Sequence, residues 1–113
     1  MKMLCILLLI MTAFVLQFCS SSKNAAITPP KYTYNGNVKT LIQTHCTPCH
    51  FPPKGNKKPY DTYLALKNDI DSILIRVNKN PAEKGFMPFK GSKLSDSTIN
   101  VLVQWKKDGS PEN

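Results

Sequence analysis

The chain has 113 residues, of which 15 are Lys or Arg and 7 are Asp or Glu, and its formal net charge at pH 7 is +8. This length excludes more than one small domain. The excess of positive charge favours anionic partners, with a generally solvated lysine-rich surface as the alternative interpretation.

Residues 1–18 have the layout of a secretory signal peptide. Lys2 precedes an apolar block from Leu4 to Leu16, and no acidic residue occurs there. The block is at or below the short end of a bilayer-spanning helix, so a cleaved signal is favoured over a permanent transmembrane anchor. Export excludes nucleic acid as the anionic partner and leaves membrane surfaces and acidic protein patches.

The residues that end this segment, LQFC followed by SSSKN, resemble the lipobox of bacterial lipoproteins. In such signals the cysteine is lipidated and becomes the first mature residue, which implies lipidation at Cys19. Phe18 departs from the small residue that is usual at its position. The alternative is cleavage nearby, with Cys19 left as an ordinary thiol. The resemblance implies a bacterial periplasmic or cell-envelope protein whose lipid lies in the inner or outer membrane.

Residues 19–36 are predicted to form a flexible tether between this anchor and a domain at residues 37–113. The segment SSSKNAAITPPKYTYNG is polar, contains two adjacent prolines and shows no apolar period. A flexible segment of about 18 residues has a root-mean-square reach of roughly 25 Å. The tether would therefore hold a small domain just off a membrane.

The domain is predicted to begin with two helical regions joined by a loop. Apolar spacing predicts the first helix over NVKTLIQTHC, with Asn37 as N-cap and Cys46 at its C-terminal end. The prolines and glycine of FPPKGNKKPY predict a loop after His50. Helical spacing resumes in DTYLALKNDIDSILIRVNK, as one bent helix or two short ones, with a buried face formed by Ile70, Ile73, Leu74 and Val77.

A second loop and a strongly marked helix complete the domain. Prolines and glycines punctuate NPAEKGFMPFKGSK, which predicts the loop. The last helix has Ser95 as N-cap and Gly109 at its C-terminal cap. Its apolar residues cover more than one face, which predicts burial between two neighbours. The fold class is therefore predicted to be all-α with long loops, and its thin core predicts a need for a staple, a metal or a cofactor.

The motif HCTPCH admits several chemistries. A structural zinc site needs four ligands, and the available ones all fall in one short segment that would have to wrap the ion alone. A redox dithiol needs an exposed thiol at the N-terminus of a helix, whereas this pair is predicted to lie at the C-terminal end of one. A disulfide across two residues would close almost no loop. The remaining interpretation is covalent haem, for which C-x-x-C-H is the attachment signature.

In the haem interpretation, Cys46 and Cys49 form thioethers to the porphyrin and His50 binds the iron. Met87, in the loop GFMPF about 37 residues beyond His50, is the only methionine left after removal of the signal. It is predicted to be the second axial ligand, and the alternative is a gap-filling core residue. His45 is the alternative axial histidine, and it is predicted to lie on the helix surface away from the metal.

Together these features resemble the small class I bacterial cytochromes c. The likeness covers about residues 37–109: CTPCH after a helix, an MP loop, and a last helix that LSDSTI opens and that carries Trp105. It implies a cytochrome c fold, with three to five short helices and long loops around one covalent haem c. It also implies that His50 and Met87 are the axial ligands and that the first and last helices cross near Trp105.

The resemblance and the ligand pair predict an electron carrier and not an enzyme. Histidine and methionine fill both axial positions, which leaves no site for oxygen or substrate. We expect a monomer tethered in the cell envelope between redox proteins, or an accessory domain of an oxidoreductase. The alternatives are a haem-based gas sensor or weak peroxidase with a labile Met87, and a zinc-binding or dithiol module.

Three further expectations concern the surroundings of the haem. A carbonyl of Pro52 or Pro53 is expected to accept the proton of the His50 ring nitrogen that does not bind iron. Acidic redox partners are expected to dock on lysines that border the haem edge in the resembling fold, namely Lys54, Lys57, Lys58, Lys84, Lys90 and Lys93. The apolar residues expected around the porphyrin are Leu41, Ile42, Leu66, Ile73, Val77, Phe86, Ile99, Leu102 and Trp105.

Overall fold

The computed structural model describes residues 29–113, and this part of the chain is helical and contains no β-strand. The all-α fold class is therefore confirmed for these residues. In chain order the elements are a π-helical turn (Tyr34–Val38), α1 (Lys39–Cys46), α2 (Tyr63–Asn78) and α3 (Asp96–Lys107). No helix within residues 29–113 has both the length and the apolar character needed to cross a bilayer. The predicted signal peptide, the lipidation residue Cys19 and the tether up to residue 28 lie outside the described residues.

The helical domain begins earlier than the sequence predicts. Thr33, and not Asn37, caps the first helical element: its hydroxyl accepts a hydrogen bond from the Gly36 amide at 3.1 Å. The Asn37 side-chain oxygen accepts in return from the Thr33 amide at 3.2 Å, so the two residues cap the turn reciprocally. Tyr34 is buried. Residues 34–36 therefore belong to the folded domain and not to the tether.

The two longer helices have well-defined N-caps. The Thr62 hydroxyl accepts from the Ala65 amide at 3.3 Å, and α2 then runs without interruption, as one helix and not two. The Ser95 hydroxyl accepts from the Thr98 amide at 3.2 Å, which confirms the predicted cap of α3. Gly109 follows the helix with a φ of 86°, the left-handed conformation typical of a C-terminal cap.

The three helices and the π-helical turn enclose a continuous hydrophobic core. Trp105 is its centre: the side chain is fully buried, and its indole nitrogen donates to the Pro111 carbonyl at 2.8 Å. The ring of Tyr34 lies 6.5 Å from that of Trp105 between centroids, so α3 packs against the π-helical turn as well as α2. This helix therefore has two packed neighbours, as its apolar pattern predicts, although Val103 on its outer side is 42% exposed.

The residues after α3 fold back and clasp the start of the domain. The Tyr34 amide donates to the Pro111 carbonyl, and the Asn35 amide donates to the Glu112 carbonyl, both at 3.0 Å. The Tyr63 hydroxyl, at the start of α2, donates to the Ser110 carbonyl at 2.9 Å. The segment after α3 therefore ties the first helical turn to the beginning of α2.

Truncation of Trp105 should destabilise the protein severely. Trp105→Ala removes a fully buried indole and its hydrogen bond, so we expect a loss of about 3–5 kcal/mol in the free energy of unfolding, measured by denaturant titration. Val103→Ala on the same helix is the control and should change it by about 0.5 kcal/mol or less. Equal losses in the two variants would contradict the assignment of Trp105 as the core centre.

Candidate functional site

A mainly apolar, partly open cavity of about 320 Å³ lies between the end of α1, one face of α2 and the loop after α2. Both cysteines of the motif, Cys46 and Cys49, line this cavity, and so do His50 and Met87. The structure thus brings together all four residues predicted to attach and ligate haem, although Met87 lies in a separate loop. The apolar part of the wall comes from Ile73, Val77 and Leu94.

The two thiols differ in their surroundings. Cys46 is the last residue of α1 and is half-buried, and burial raises the pKa of its thiol to about 11. Cys49 is exposed in the turn that follows, and neither cysteine forms a disulfide. Nucleophilic redox cysteines have lowered pKa values and positive surroundings, whereas Cys46 lies at the negative end of a helix. This arrangement does not favour a redox dithiol.

The His50 ring is held from two sides. Its Nδ1 lies 2.6 Å from the Lys58 carbonyl oxygen, and because a carbonyl can only accept, Nδ1 carries the proton and donates. The ring also stacks on Tyr60, with centroids 4.4 Å apart and planes inclined by 11°. These contacts fix the tautomer and leave the Nε2 lone pair free for a metal. The prediction that a carbonyl of Pro52 or Pro53 accepts this proton is therefore wrong. The loop folds back beyond the two prolines, so that the Lys58 carbonyl faces the His50 ring.

The segment between His50 and α2 wraps tightly around the motif. The Lys57 amide donates to the Cys49 carbonyl at 3.1 Å, and the Tyr60 amide donates to the His50 carbonyl at 3.0 Å. Gly55 lies so close to the motif that a Cβ there would overlap the carbonyl oxygens of Pro48 and Cys49. A glycine is therefore required at this position, which its place in a proline-rich loop did not reveal.

Asp69 on α2 anchors this segment. Its carboxylate accepts from the Lys58 ammonium at 2.6 Å and from the Tyr60 hydroxyl, so both residues that hold His50 are tied to one side chain. Burial by itself raises the pKa of the Asp69 carboxyl, but the hydrogen bonds from Lys58 and Tyr60 outweigh burial and hold that pKa below its usual value. Burial, and then the bond to Asp69, raises the pKa of Tyr60.

Met87 and His45 both lie at the cavity. Met87 is half-buried, and its amide donates to the Arg76 carbonyl on α2 at 3.3 Å. His45 is also half-buried and lines the same cavity, so the prediction that it lies on the helix surface is wrong. The rotation of α1 that buries Ile42 brings His45, three residues later, towards the same side.

Only some of the apolar residues predicted around the porphyrin line the cavity. Ile73 and Val77 line the cavity, and Leu94, which the sequence did not suggest, joins them. Phe86 is buried but does not line the cavity. The others pack in or against the core: Leu41, Ile42, Leu66, Ile99, Leu102 and Trp105. The described residues thus form a hydrophobic core from their own side chains, whereas the thin apolar content of the sequence predicted that a cofactor would have to fill the centre.

The lysines predicted to dock partners have different environments. Lys57 lines the cavity, and Lys54 and Lys84 are exposed. Lys58 pairs with Asp69, and Lys93 donates to the Asn78 carbonyl at 3.2 Å. The Lys90 ammonium lies 5.4 Å from the centre of the Phe89 ring, which lines the cavity and is 69% exposed.

No family model, curated protein or solved structure matches this chain. Within residues 29–113, no group of three or more His, Cys, Asp or Glu side chains is close enough to hold a metal ion by itself. The cavity and the residues that line it are thus the features of the described chain that bear on its function.

Loss of the Asp69 charge should weaken the protein in a pH-dependent way. Because the folded-state pKa of Asp69 is lowered, its stabilisation is present above the unfolded-state pKa of about 3.9 and is lost as pH falls through the folded-state pKa. We expect Asp69→Asn to lower the free energy of unfolding at pH 7 by about 1–3 kcal/mol and to reduce the loss of stability on acidification.

The matched control is Asp71→Asn, two residues further along α2, because the ion pair of Asp71 with Lys106 is exposed. An exposed pair contributes about 1 kcal/mol or less. Denaturant titrations at several pH values measure both variants. A pH profile of Asp69→Asn that is parallel to that of the unmodified protein would contradict the anchoring role of the carboxylate.

Proposed function

We propose that this protein is an electron carrier of the cytochrome c type, in which one covalent haem c is attached at Cys46 and Cys49 and ligated by His50 and Met87. The observation that carries the proposal is the meeting of these four residues on one apolar cavity. Cys46, Cys49 and His50 are neighbours in the sequence, so their proximity is expected. Met87 lies in the loop after α2, and the attachment motif does not require this loop to reach the cavity.

The residues present fit this group. The Nε2 of His50 is left as a free lone pair by the bond from Nδ1 to Lys58, and the Met87 thioether is the soft second donor that such carriers use. The two thiols are free to form thioethers. The wall of Ile73, Val77 and Leu94 is suited to an apolar macrocycle, and the cavity of about 320 Å³ is partly open, as a ligand exposed along one edge requires.

The protein contributes orientation and exclusion of water. When bound, haem iron supplies one-electron oxidation and reduction, and His50 and Met87 together leave no open coordination position. The Lys58 carbonyl and the Tyr60 ring hold the His50 imidazole in one orientation. With haem bound, the apolar wall would limit contact between water and the iron, which disfavours the extra positive charge of oxidised iron and, together with the Met87 thioether, would raise the reduction potential.

The proposal places this carrier in the bacterial periplasm or cell envelope. The signal-like N-terminus and the lipobox-like LQFC support export and a lipid anchor at Cys19 in the inner or outer membrane. A tethered monomer would exchange electrons with acidic redox proteins, or serve as the haem domain of a larger oxidoreductase. The exposed Lys54 and Lys84 and the cavity-lining Lys57 support docking of an acidic partner near the cavity.

One observation favours a second candidate function. His45 lines the same cavity as Met87, so an iron that lost Met87 would have the His45 imidazole beside it as a ligand or a base. A gas sensor or a weak peroxidase would use such an arrangement. The two candidates differ in whether Met87 stays on the iron.

The absorption spectrum tests the proposed function. After expression with a haem-attachment system, we expect a Soret band that stays with the denatured polypeptide, because thioether bonds survive unfolding. Cys46→Ala together with Cys49→Ala should abolish this covalent band. The absence of any Soret band would contradict haem binding and favour the zinc-binding or dithiol alternative.

Substitution of Met87 and of His45 distinguishes an electron carrier from a gas sensor. Met87→Ala should remove the sulfur-to-iron charge-transfer band of the oxidised protein and permit rapid carbon monoxide binding after reduction, because it deletes the thioether. His45→Gln should change neither property. Rapid carbon monoxide binding by the unmodified protein, or loss of the band in His45→Gln, would contradict Met87 as the resident ligand.

Docking of an acidic partner predicts a salt effect on electron transfer. The rate constant for reduction or oxidation by an acidic redox protein should fall as ionic strength rises, because salt screens the attraction. Lys57→Gln at the cavity should lower the rate at low salt and flatten this dependence, whereas Lys39→Gln on the exposed part of α1 should have a smaller effect. Equal effects of the two variants would indicate general attraction without a docking site.

A further inference from the structure

Arg76 on α2 contacts the Met87 loop through both its backbone and its side chain. Its carbonyl accepts from the Met87 amide at 3.3 Å, and its guanidinium Nη1 donates to the Gly85 carbonyl at 3.3 Å. Phe86, between these two positions, is buried. Arg76 therefore holds two backbone groups, the Gly85 carbonyl and the amide of Met87, which lie on either side of Phe86.

Gly85 makes this contact possible. Its φ of 86° is left-handed, a conformation that side chains with a Cβ rarely adopt. A Cβ at this position would also lie 3.3 Å from Nη1 of Arg76, which is tighter than an ordinary contact. The glycine therefore turns the chain so that its carbonyl faces the guanidinium.

The other hydrogen bonds of this loop are mostly internal. The Phe86 amide donates to the Glu83 carbonyl at 3.1 Å, the Gly91 amide donates to the Pro88 carbonyl at 3.0 Å, and the Asn80 amide donates to the Glu83 carboxylate. These bonds shape the loop but do not fix its position against α2. Arg76 provides the attachment closest to Met87.

Arg76 also lines the cavity, so its side chain is part of the wall that Met87 faces. Neither Arg76 nor Gly85 belongs to the attachment motif or to the predicted axial pair. A hydrogen bond from a charged donor is stronger than one between neutral groups, although solvent weakens it at an exposed residue such as Arg76.

We propose that Arg76 is a positioning residue that keeps the Met87 thioether at the cavity, so that its guanidinium sets how readily Met87 leaves the haem iron. This inference rests on the proposed function, because it concerns one of the two proposed axial ligands. With the guanidinium in place the site behaves as a closed electron carrier. Without it the loop separates from α2 more often, and the site approaches an open, gas-binding one.

The test uses the full-length, haem-loaded protein and the variant Arg76→Met, which keeps the length of the side chain but removes its donors. The rate of carbon monoxide binding to the reduced protein reports dissociation of Met87, and we expect it to rise about fivefold, as loss of one exposed charge-assisted bond would cause. The sulfur-to-iron charge-transfer band should be lost at a lower temperature than in the unmodified protein.

Two further variants make the test specific. Lys67→Met removes one positive charge from the same helix, where Lys67 contacts the Tyr63 hydroxyl and not the Met87 loop, so it should leave both readouts unchanged. Arg76→Lys keeps the charge with a shorter, single donor group and should give intermediate values, and it replaces Arg76→Met if that variant does not fold.

The outcomes separate this inference from the proposed function. A Soret band and a charge-transfer band in the unmodified protein, with Arg76→Met equal to Lys67→Met, would overturn the role of Arg76 and leave the carrier intact. A Soret band without the charge-transfer band would overturn Met87 as ligand and the role of Arg76 with it. The absence of any Soret band would overturn the proposed function and this inference together.

Discussion

Helix α2 sets the separation of the two loops that form the cavity. Asp69 holds the segment that carries the contacts of His50, and Arg76 holds the loop that carries Met87. These two residues are seven positions apart, which is close to two helical turns, so they project from nearly the same face about 10 Å apart. Because buried residues on the adjoining face fix α2 against the core, neither loop can move along the helix without breaking these bonds.

The core and the cavity share one wall. Ile73 and Val77 of α2 belong to both, and so do Tyr60 and Leu94 from the loops on either side of this helix, whereas Trp105 and Tyr34 belong to the core and do not line the cavity. Hydrophobic burial therefore stabilises the helices and one residue of each loop, and hydrogen bonds to carbonyls and one carboxylate add to the positioning of the loops. Because Trp105 lies away from the cavity, the chain can keep a partly open cavity beside a closed core.

Local signals allowed the correct prediction of some features. Ser95 and the C-x-x-C-H spacing act over a few neighbouring residues, so the sequence is sufficient to predict the start of the last helix and the proximity of Cys46, Cys49 and His50. The acceptor of the His50 proton, the anchor at Asp69 and the attachment at Arg76 all depend on contacts between distant segments, and two of them involve backbone carbonyls, which every residue possesses. The position of His45 depended on the rotation of α1, which packing decides.

The clasp between residues 34–35 and residues 111–112 has a mechanical consequence. A pull on the chain upstream of Lys31 acts on the bond of its amide to the Asp108 carboxylate, then on the two backbone bonds to Pro111 and Glu112, and through them on the indole bond of Trp105 to the same Pro111 carbonyl. That load is taken up by the core before it reaches α1 and the cysteines at its end. A domain pulled from this side would thus keep the geometry of its cavity until the clasp itself opened.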